Sequence, residues 1–411
     1  MKVNTEPVRG TKDFNPKETI LRDYVKNTIL ETYRKNGFMH IKTPILEDIN
    51  LLCKSDDGDN TKIMFKVLKR GQKLDIENAK KENDLCDMGL RYDLTVPLAR
   101  FYANNQNLLP KPFKSIQIDD AFRAEKPQRG RLRQFTQCDI DIIGDSTINA
   151  EIEILSVAGE TLKNLGFRNF VFKINDRRIL NAIIEKSGFN SKDSEKICII
   201  LDKRDKIGLE GIENELKDNG YEEENIKQLL KYIEILTDNG LEGLNIIGID
   251  IQIIERITNI IEICNNVAED YKVEFDCSII RGQGYYTSTV MEVYLDGFNG
   301  ACGGGGRYDT MIEKIINVST CAVGFSIGYE RVCLIMEESK KEINSKNICL
   351  VYTGDDDFKE VIKYSKELKN NFDSVCIVPR AKNFTNQLNK LRDNGYNYFV
   401  SVYDKKIKEI S

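Results

Sequence analysis

The sequence predicts an α+β protein: an antiparallel sheet flanked by helices, interrupted by a helical insertion and followed by a small α/β domain. Three observations carry this. Two alternating runs, Ser115–Asp119 and Arg133–Gly144, bracket a basic loop, as an antiparallel hairpin with a long tip would. The stretch from about Arg178 to Glu269 is rich in Lys, Glu, Ile and Leu, lacks Pro and reads as helix. After a charged, core-free linker at 339–345, strands and helices alternate, which favours a largely parallel sheet.

Each element follows from local pattern. From Thr19 to Gly37, Leu21, Tyr24, Val25, Ile29, Leu30 and Tyr33 recur at helical spacing, and Asn36-Gly37 ends the helix. The β-branched run Phe38–Asp48 is interrupted by Pro44, the mark of an edge or a strand end. Ser55–Asp84 is polar and reads as a ribbon or loop, and LRYDLTVPLARFYA, Leu90–Ala103, as a short strand feeding a helix. Asn149–Leu165 is a second amphipathic helix, and Asn169–Asn175 a strand. The run from Val273 to Gly297 reads as a hairpin turning near Gly282–Gly284. Cys302–Asp309, CGGGGRYD, reads as a tight turn with close backbone packing, and Cys321–Met336 as a strand running into a helix. The expected division is 1–177 and 270–338 as one discontinuous domain, 178–269 as the insertion, and 346–411 as the last domain.

Composition narrows the chemistry. At 411 residues, with 41% hydrophobic and 30% charged residues, the chain is long enough for several cores and is not disordered. No apolar run approaches the length that spans a bilayer, and the polar N-terminus has no signal-peptide core, so no membrane partner is expected. The eleven Cys are scattered without CxxC spacing, which reads as free thiols in a reducing, cytoplasmic setting. A single His, His40, excludes multi-His metal sites and leaves little room for a Ser-His-Asp triad. The net charge of -5 does not favour nucleic acid overall. From Val375 onward, however, seven cations face three acids.

Several constellations carry chemistry. FRAEKPQRGRLRQF, Phe122–Phe135, places Arg123, Lys126, Arg129, Arg131 and Arg133 in one hairpin tip with the lone acid Glu125. Such crowding repels itself unless an anion arrives, and guanidinium forks suit phosphate oxygens; Phe135 offers a stacking face. Gln137, Asp139 and Asp141 share one face of their strand at period two, opposite Ile140 and Ile142, which implies a polar pocket. In RGQGYY, Arg281–Tyr286, glycines beside a cation permit close backbone approach; two adjacent tyrosines on a strand would face opposite ways, so only one would line a pocket. The glycine stretch matches neither a dinucleotide fingerprint nor a P-loop.

Together these segments resemble the class II aminoacyl-tRNA synthetases, and within them the histidine–tRNA ligase family. The helix leading into the Pro44 segment resembles the dimer-forming first motif, FRAEKPQRGRLRQF the second, and GFSIGYER with Arg331 the third. The histidine-specific signals are RGTKDF, LRYDLTVPLARFYA, KPQRGRLRQFTQCDIDIIG, INDRRIL, RGQGYYTSTV and GGGRYD, spread in order over most of the chain. The resemblance implies a ligase that activates L-histidine with ATP and Mg2+ to histidyl-adenylate and transfers it to tRNA(His), without a tightly bound cofactor, as a homodimer.

It also implies roles. Arg123 and Arg281 would hold the α-phosphate, Glu125 the adenine amino group, and Arg131 the distal phosphates. Phe135 and Arg331 would sandwich the adenine. Asp93, Thr95 and Gln137 would receive the histidine amino group, and Asp141 with Tyr285 or Tyr286 would read the imidazole. Gln128 would meet the tRNA acceptor end, and the last domain would be anticodon-binding-like. Two departures stand out: Gln283-Gly284 replaces the family's usual Leu-Asp pair, and the chain stops soon after the third strand of its last domain. The alternative with the same fold is the non-catalytic paralogue that serves as regulatory subunit of ATP phosphoribosyltransferase.

Overall fold

The structure is a computed structural model that describes residues 3–54, 63–280, 285–339 and 346–410. The chain divides into two compact units. The larger comprises Arg9–Thr11 and Lys26–Ile335; the smaller comprises Met1–Val8, Lys12–Val25 and Met336–Ser411.

Helix α1, Pro16–Lys35, contributes residues to both units. Pro16 opens it, where a missing N–H costs nothing. Asn15 and Glu18 close a reciprocal cap, with the Asn15 amide on Glu18 Oε2 at 2.8 Å and the Glu18 amide on Asn15 Oδ1 at 2.9 Å. Short strands β1, Met39–His40, and β2, Leu46–Asp48, lie on either side of Pro44, as the interrupted pattern predicts. Then follow α2 (Ile49–Lys54), β3 (Lys66–Leu68), β4 (Cys86–Leu90) and α3 (Thr95–Asn105). Strands β2, β4 and β3 form a three-stranded antiparallel sheet.

The predicted basic hairpin is β5, Phe113–Phe122, and β6, Gln134–Ile143, antiparallel and in register over ten pairs. Helix α4, Asn149–Asn164, packs its Ile154, Leu155 and Ala158 side into the core under this sheet. Strand β7, Phe170–Asp176, leads into the insertion: α5 (Arg177–Lys186), α6 (Ser194–Leu201), α7 (Arg204–Asp218), α8 (Glu223–Ile247) and α9 (Ile251–Val267). The remaining elements of this unit are β8 (Tyr271–Phe275), β9 (Thr289–Tyr294), β10 (Gly303–Arg307), α10 (Asp309–Ile316) and β11 (Ala322–Ile327), then α11 (Tyr329–Glu338), which begins here. They complete an eight-stranded sheet of order β1-β5-β6-β11-β10-β9-β7-β8, antiparallel except for the pairs β1/β5 and β7/β8.

Two expectations are corrected here. The run from Val273 to Gly297 is not a hairpin: β8 and β9 lie on opposite sides of β7, β8 parallel to it and β9 antiparallel. A parallel neighbour needs a long crossover, and the helical insertion supplies it between β7 and β8. CGGGGRYD is not a turn but β10, a central strand. Its glycines answer to crowding rather than to strand propensity. A Cβ on Gly305 would lie 1.9 Å from the Gly324 carbonyl oxygen on β11, and one on Gly306 2.6 Å from the Thr289 carbonyl oxygen on β9.

The smaller unit carries β12 (Asn347–Tyr352), α12 (Phe358–Leu368), β13 (Ser374–Pro379), α13 (Phe384–Asp393), β14 (Tyr398–Ser401) and a short β15 (Lys408–Glu409). Its sheet runs β13-β12-β14-β15, with the first three strands parallel and β15 antiparallel. Ile348, Leu350, Val361, Leu368 and Val400 form its core. Among the described residues, no helix is long and apolar enough to cross a membrane.

Candidate active site

The alternation along β6 builds the site. Cys138, Ile140 and Ile142 are buried in the core, and Gln137, Asp139 and Asp141 line a cavity of about 80 Å³. Thr95, at the start of α3, and Arg123, just past β5, line the same cavity, as do Tyr285, Tyr286 and Tyr308. Gly304 and Gly305 of β10 and Gly324 of β11 form part of its wall. Gly324 pairs with Asp141, and a Cβ there would lie 1.9 Å from Asp141 Oδ1; only glycine leaves the carboxylate its place.

The carboxylates are the electrostatic centre. Burial pushes the Asp141 carboxyl up to about 7; the Asp93 charge adds to this, and a hydrogen bond from Tyr308 opposes it. That bond runs from the Tyr308 hydroxyl to Asp141 Oδ1 at 2.6 Å. Burial also raises Asp139 well above the carboxylate range, helped by Asp141 and resisted by a Ser326 hydrogen bond. Asp93 is buried and accepts the Val96 amide at 3.1 Å, in the first turn of α3, whose Thr95 lines the cavity. Such a pocket favours a ligand bearing N–H donors or positive charge, since that restores ionisation of the buried acids. Arg123 is the cation among the lining residues, so positive and negative subsites meet in one cavity.

Arg91 organises this end of the sheet. It is fully buried; Nη1 donates to the Thr43 and Pro44 carbonyls at 2.8 and 3.3 Å, Nε donates to the Asp120 carbonyl at 2.7 Å, and Nη2 lies 3.1 Å from Asp119 Oδ2. The next carbonyl, that of Tyr92, accepts Arg123 Nε at 3.0 Å, and the Arg123 guanidinium lies 5.1 Å over the Phe135 ring. At the hairpin tip Gln128 and Arg131 exchange backbone hydrogen bonds of 3.1 and 2.9 Å, and Glu125 pairs with Arg131 at 3.8 Å. The Arg133 amide donates to the Gly10 carbonyl at 2.7 Å, which holds Gly10 against the hairpin. Arg331, on α11, donates to the Ala301 carbonyl and lies 5.1 Å over the Phe298 ring.

Thr95, Arg123, Gln137, Asp141, Tyr285 and Tyr286 thus converge, with Asp93 just behind. Glu125, Gln128 and Arg131 stand at the tip, Phe135 under Arg123, and Arg331 by the β9–β10 connection. Arg281 falls in 281–284, outside the described residues. The expectation that one tyrosine of the pair faces away is corrected: Tyr285 and Tyr286 both line the cavity, with ring centroids 4.8 Å apart, because they lie outside any strand and alternation does not apply. Tyr308 was not anticipated as a site residue. At the end of β10, Arg307 and the residue after it part: Tyr308 turns to Asp141 and Arg307 to the buried Glu151, which it binds through Nε at 2.8 Å and Nη2.

The profile of the histidyl-tRNA synthetase family matches residues 10–332. The chain belongs to the histidyl-tRNA synthetase family. It is therefore an aminoacyl-tRNA synthetase by descent, and curated relatives agree. A protein named histidine–tRNA ligase from Leifsonia xyli subsp. xyli is 36% identical over 409 residues, spanning 96% of this chain and 95% of that one. The fold agrees too. The crystal structure of histidyl-tRNA synthetase from Nostoc sp. PCC 7120 superposes with a TM-score of 0.78 at 23% identity, covering 99% of this chain and 97% of that one. A structure described as an ATP phosphoribosyltransferase regulatory subunit/histidyl-tRNA synthetase from Bacillus halodurans C reaches a TM-score of 0.76 at 18% identity, over 98% and 99% of the two chains. Both structures share the α+β fold described above.

Proposed function

We propose that this chain activates L-histidine with ATP and Mg2+ to histidyl-adenylate, then transfers the histidyl group to tRNA(His), releasing AMP and diphosphate. The observation that carries this is the cavity in which Asp141, Gln137, Thr95 and the tyrosines meet Arg123. Carboxylates there suit the ammonium and imidazole N–H groups of histidine, and the adjacent guanidinium suits the α-phosphate. Adenylate formation needs no side-chain nucleophile; holding two ligands in line and stabilising charge supplies most of the acceleration.

Within this reading Arg123 and Arg281 hold the α-phosphate and Arg131 the distal phosphates. Glu125 takes the adenine amino group, and Phe135 with Arg331 holds the ring. Asp93, Thr95 and Gln137 take the histidine amino group; Asp141, with Tyr308 behind it and Tyr285 or Tyr286 beside it, takes the imidazole. Gln128 meets the acceptor end of the tRNA. The domains act as 1–177 and 270–338 for catalysis, 178–269 as the insertion, and 346–411 as an anticodon-binding-like domain, in a cytoplasmic homodimer.

The regulatory-paralogue alternative is disfavoured by the intact Arg123, Gln137, Arg281 and Arg331. Charging assays decide between them. The protein should attach labelled histidine to tRNA(His), and Arg123→Ala should lose that activity by about a hundredfold or more while remaining folded. A folded wild-type protein that charges no tRNA refutes the reading.

A further inference from the structure

The β9–β10 connection carries a residue that none of the assigned roles uses. Phe298 is partly buried, and its ring is approached by two guanidinium groups: Arg331 of α11 at 5.1 Å and Arg129 of the hairpin tip at 5.6 Å from the centroid. Gly130 seats the tip directly on it. A Cβ there would come within 3.2 Å of Phe298 Cε2 and 3.1 Å of Arg331 Cγ, and its φ of +70° is one that glycine adopts without penalty. Beside the ring, Arg331 also donates to the Ala301 carbonyl in the same connection. Phe298 is anchored by strands β9 and β10, both inside the central sheet, so the ring is a fixed point for two otherwise separate cationic elements.

We propose that Phe298 is a positioning residue for the nucleotide site: its ring holds the hairpin tip and Arg331 in the one arrangement that receives ATP. The inference rests on the adenylation reading above. The choice of an aromatic has a physical reason. A carboxylate at this point would neutralise the arginines and compete with phosphate for them. A ring face attracts a guanidinium through its quadrupole but carries no net charge, so it neither cancels the arginine's charge nor competes with phosphate as a carboxylate would. A tip that carries Lys126, Arg129, Arg131 and Arg133 against Glu125 gains from such a neutral tether.

The test is histidine-dependent ATP–pyrophosphate exchange with Phe298→Leu, Phe298→Tyr and Arg129→Gln. Leu keeps apolar volume and removes the ring face; Tyr restores it. Two cation–ring contacts at a partly buried site correspond to about a five- to twentyfold effect. Phe298→Leu should therefore raise the KM for ATP by about that factor, with the KM for histidine within about twofold and an unchanged melting temperature. Phe298→Tyr should stay near wild type. Arg129→Gln should reproduce part of the rise, and Phe298→Leu combined with Arg129→Gln should rise by less than the product of the two single effects. An unchanged KM for ATP in Phe298→Leu overturns the proposal while exchange by the wild type keeps the adenylation reading standing. So does an equal rise in both KM values, or failure of Tyr to rescue. Absence of exchange in the wild type removes the adenylation reading and this proposal with it.

Discussion

Burial raises the Asp141 carboxyl from its ordinary 3.8 to about 7, and this makes the ligand-free protein sensitive to pH. Below about pH 4 the carboxyl is protonated whether the chain is folded or not. Between about pH 4 and 7 the unfolded chain ionises while the folded one keeps its proton, so stability falls as pH rises and levels off above about pH 8. Asp139 is raised by burial in the same direction. Asp141→Asn cannot ionise, yet still accepts from Tyr308. Its melting temperature, measured without ligands, should exceed that of the wild type by a margin that widens from about pH 5 to pH 8; a margin independent of pH would contradict the assignment. Tyr308→Phe removes a 2.6 Å bond to Asp141 and should raise the KM for histidine about tenfold while leaving that for ATP unchanged. Arg123, Gln137 and Asp141 were legible in the sequence because charge clustering and period-two alternation are local signals. Tyr308 was not, because its partner lies 167 residues away and nothing local distinguishes it from a core tyrosine.

At the scale of elements, the hairpin and the helices that follow β7 could be read directly, since each is a run of one period bounded by glycine, proline or charge, and the alternation after 346 announced β12 to β14 with the helices between them. The central strand β10 could not. Its four consecutive glycines lack strand propensity, and only the approach of β9 and β11 makes them necessary. For the same reason β8 and β9 looked like a hairpin: sequence proximity does not reveal that β7 lies between them. The crowding is testable. Gly305→Ala places a Cβ 1.9 Å from the Gly324 carbonyl oxygen and 2.6 Å from Phe325 Cα, both backbone atoms of the neighbouring strand. It should destabilise the protein by about 3 kcal/mol or more, seen as a large fall in the denaturation midpoint. Gly354→Ala, with nothing within 4 Å of the added Cβ, should change stability by no more than about 0.5 kcal/mol. Equal effects at the two positions would contradict the packing account.

At the scale of the whole molecule, the β1–Pro44–β2 region leaves Met39, Ile45 and Leu46 exposed by 39%, 41% and 46%. An edge strand with exposed apolar neighbours calls for a partner, and two-fold pairing of identical chains is the simplest one. Light scattering at micromolar concentration should give the mass of two chains; a single-chain mass would contradict the homodimer. Selection of histidine for adenylation in the cavity lined by Arg123 is decided by ATP–pyrophosphate exchange run with each of the twenty amino acids. The account predicts exchange with histidine, little or none with the other nineteen, and its collapse in a folded Arg281→Ala variant. Exchange that is absent with histidine, or stronger with another amino acid, would contradict it.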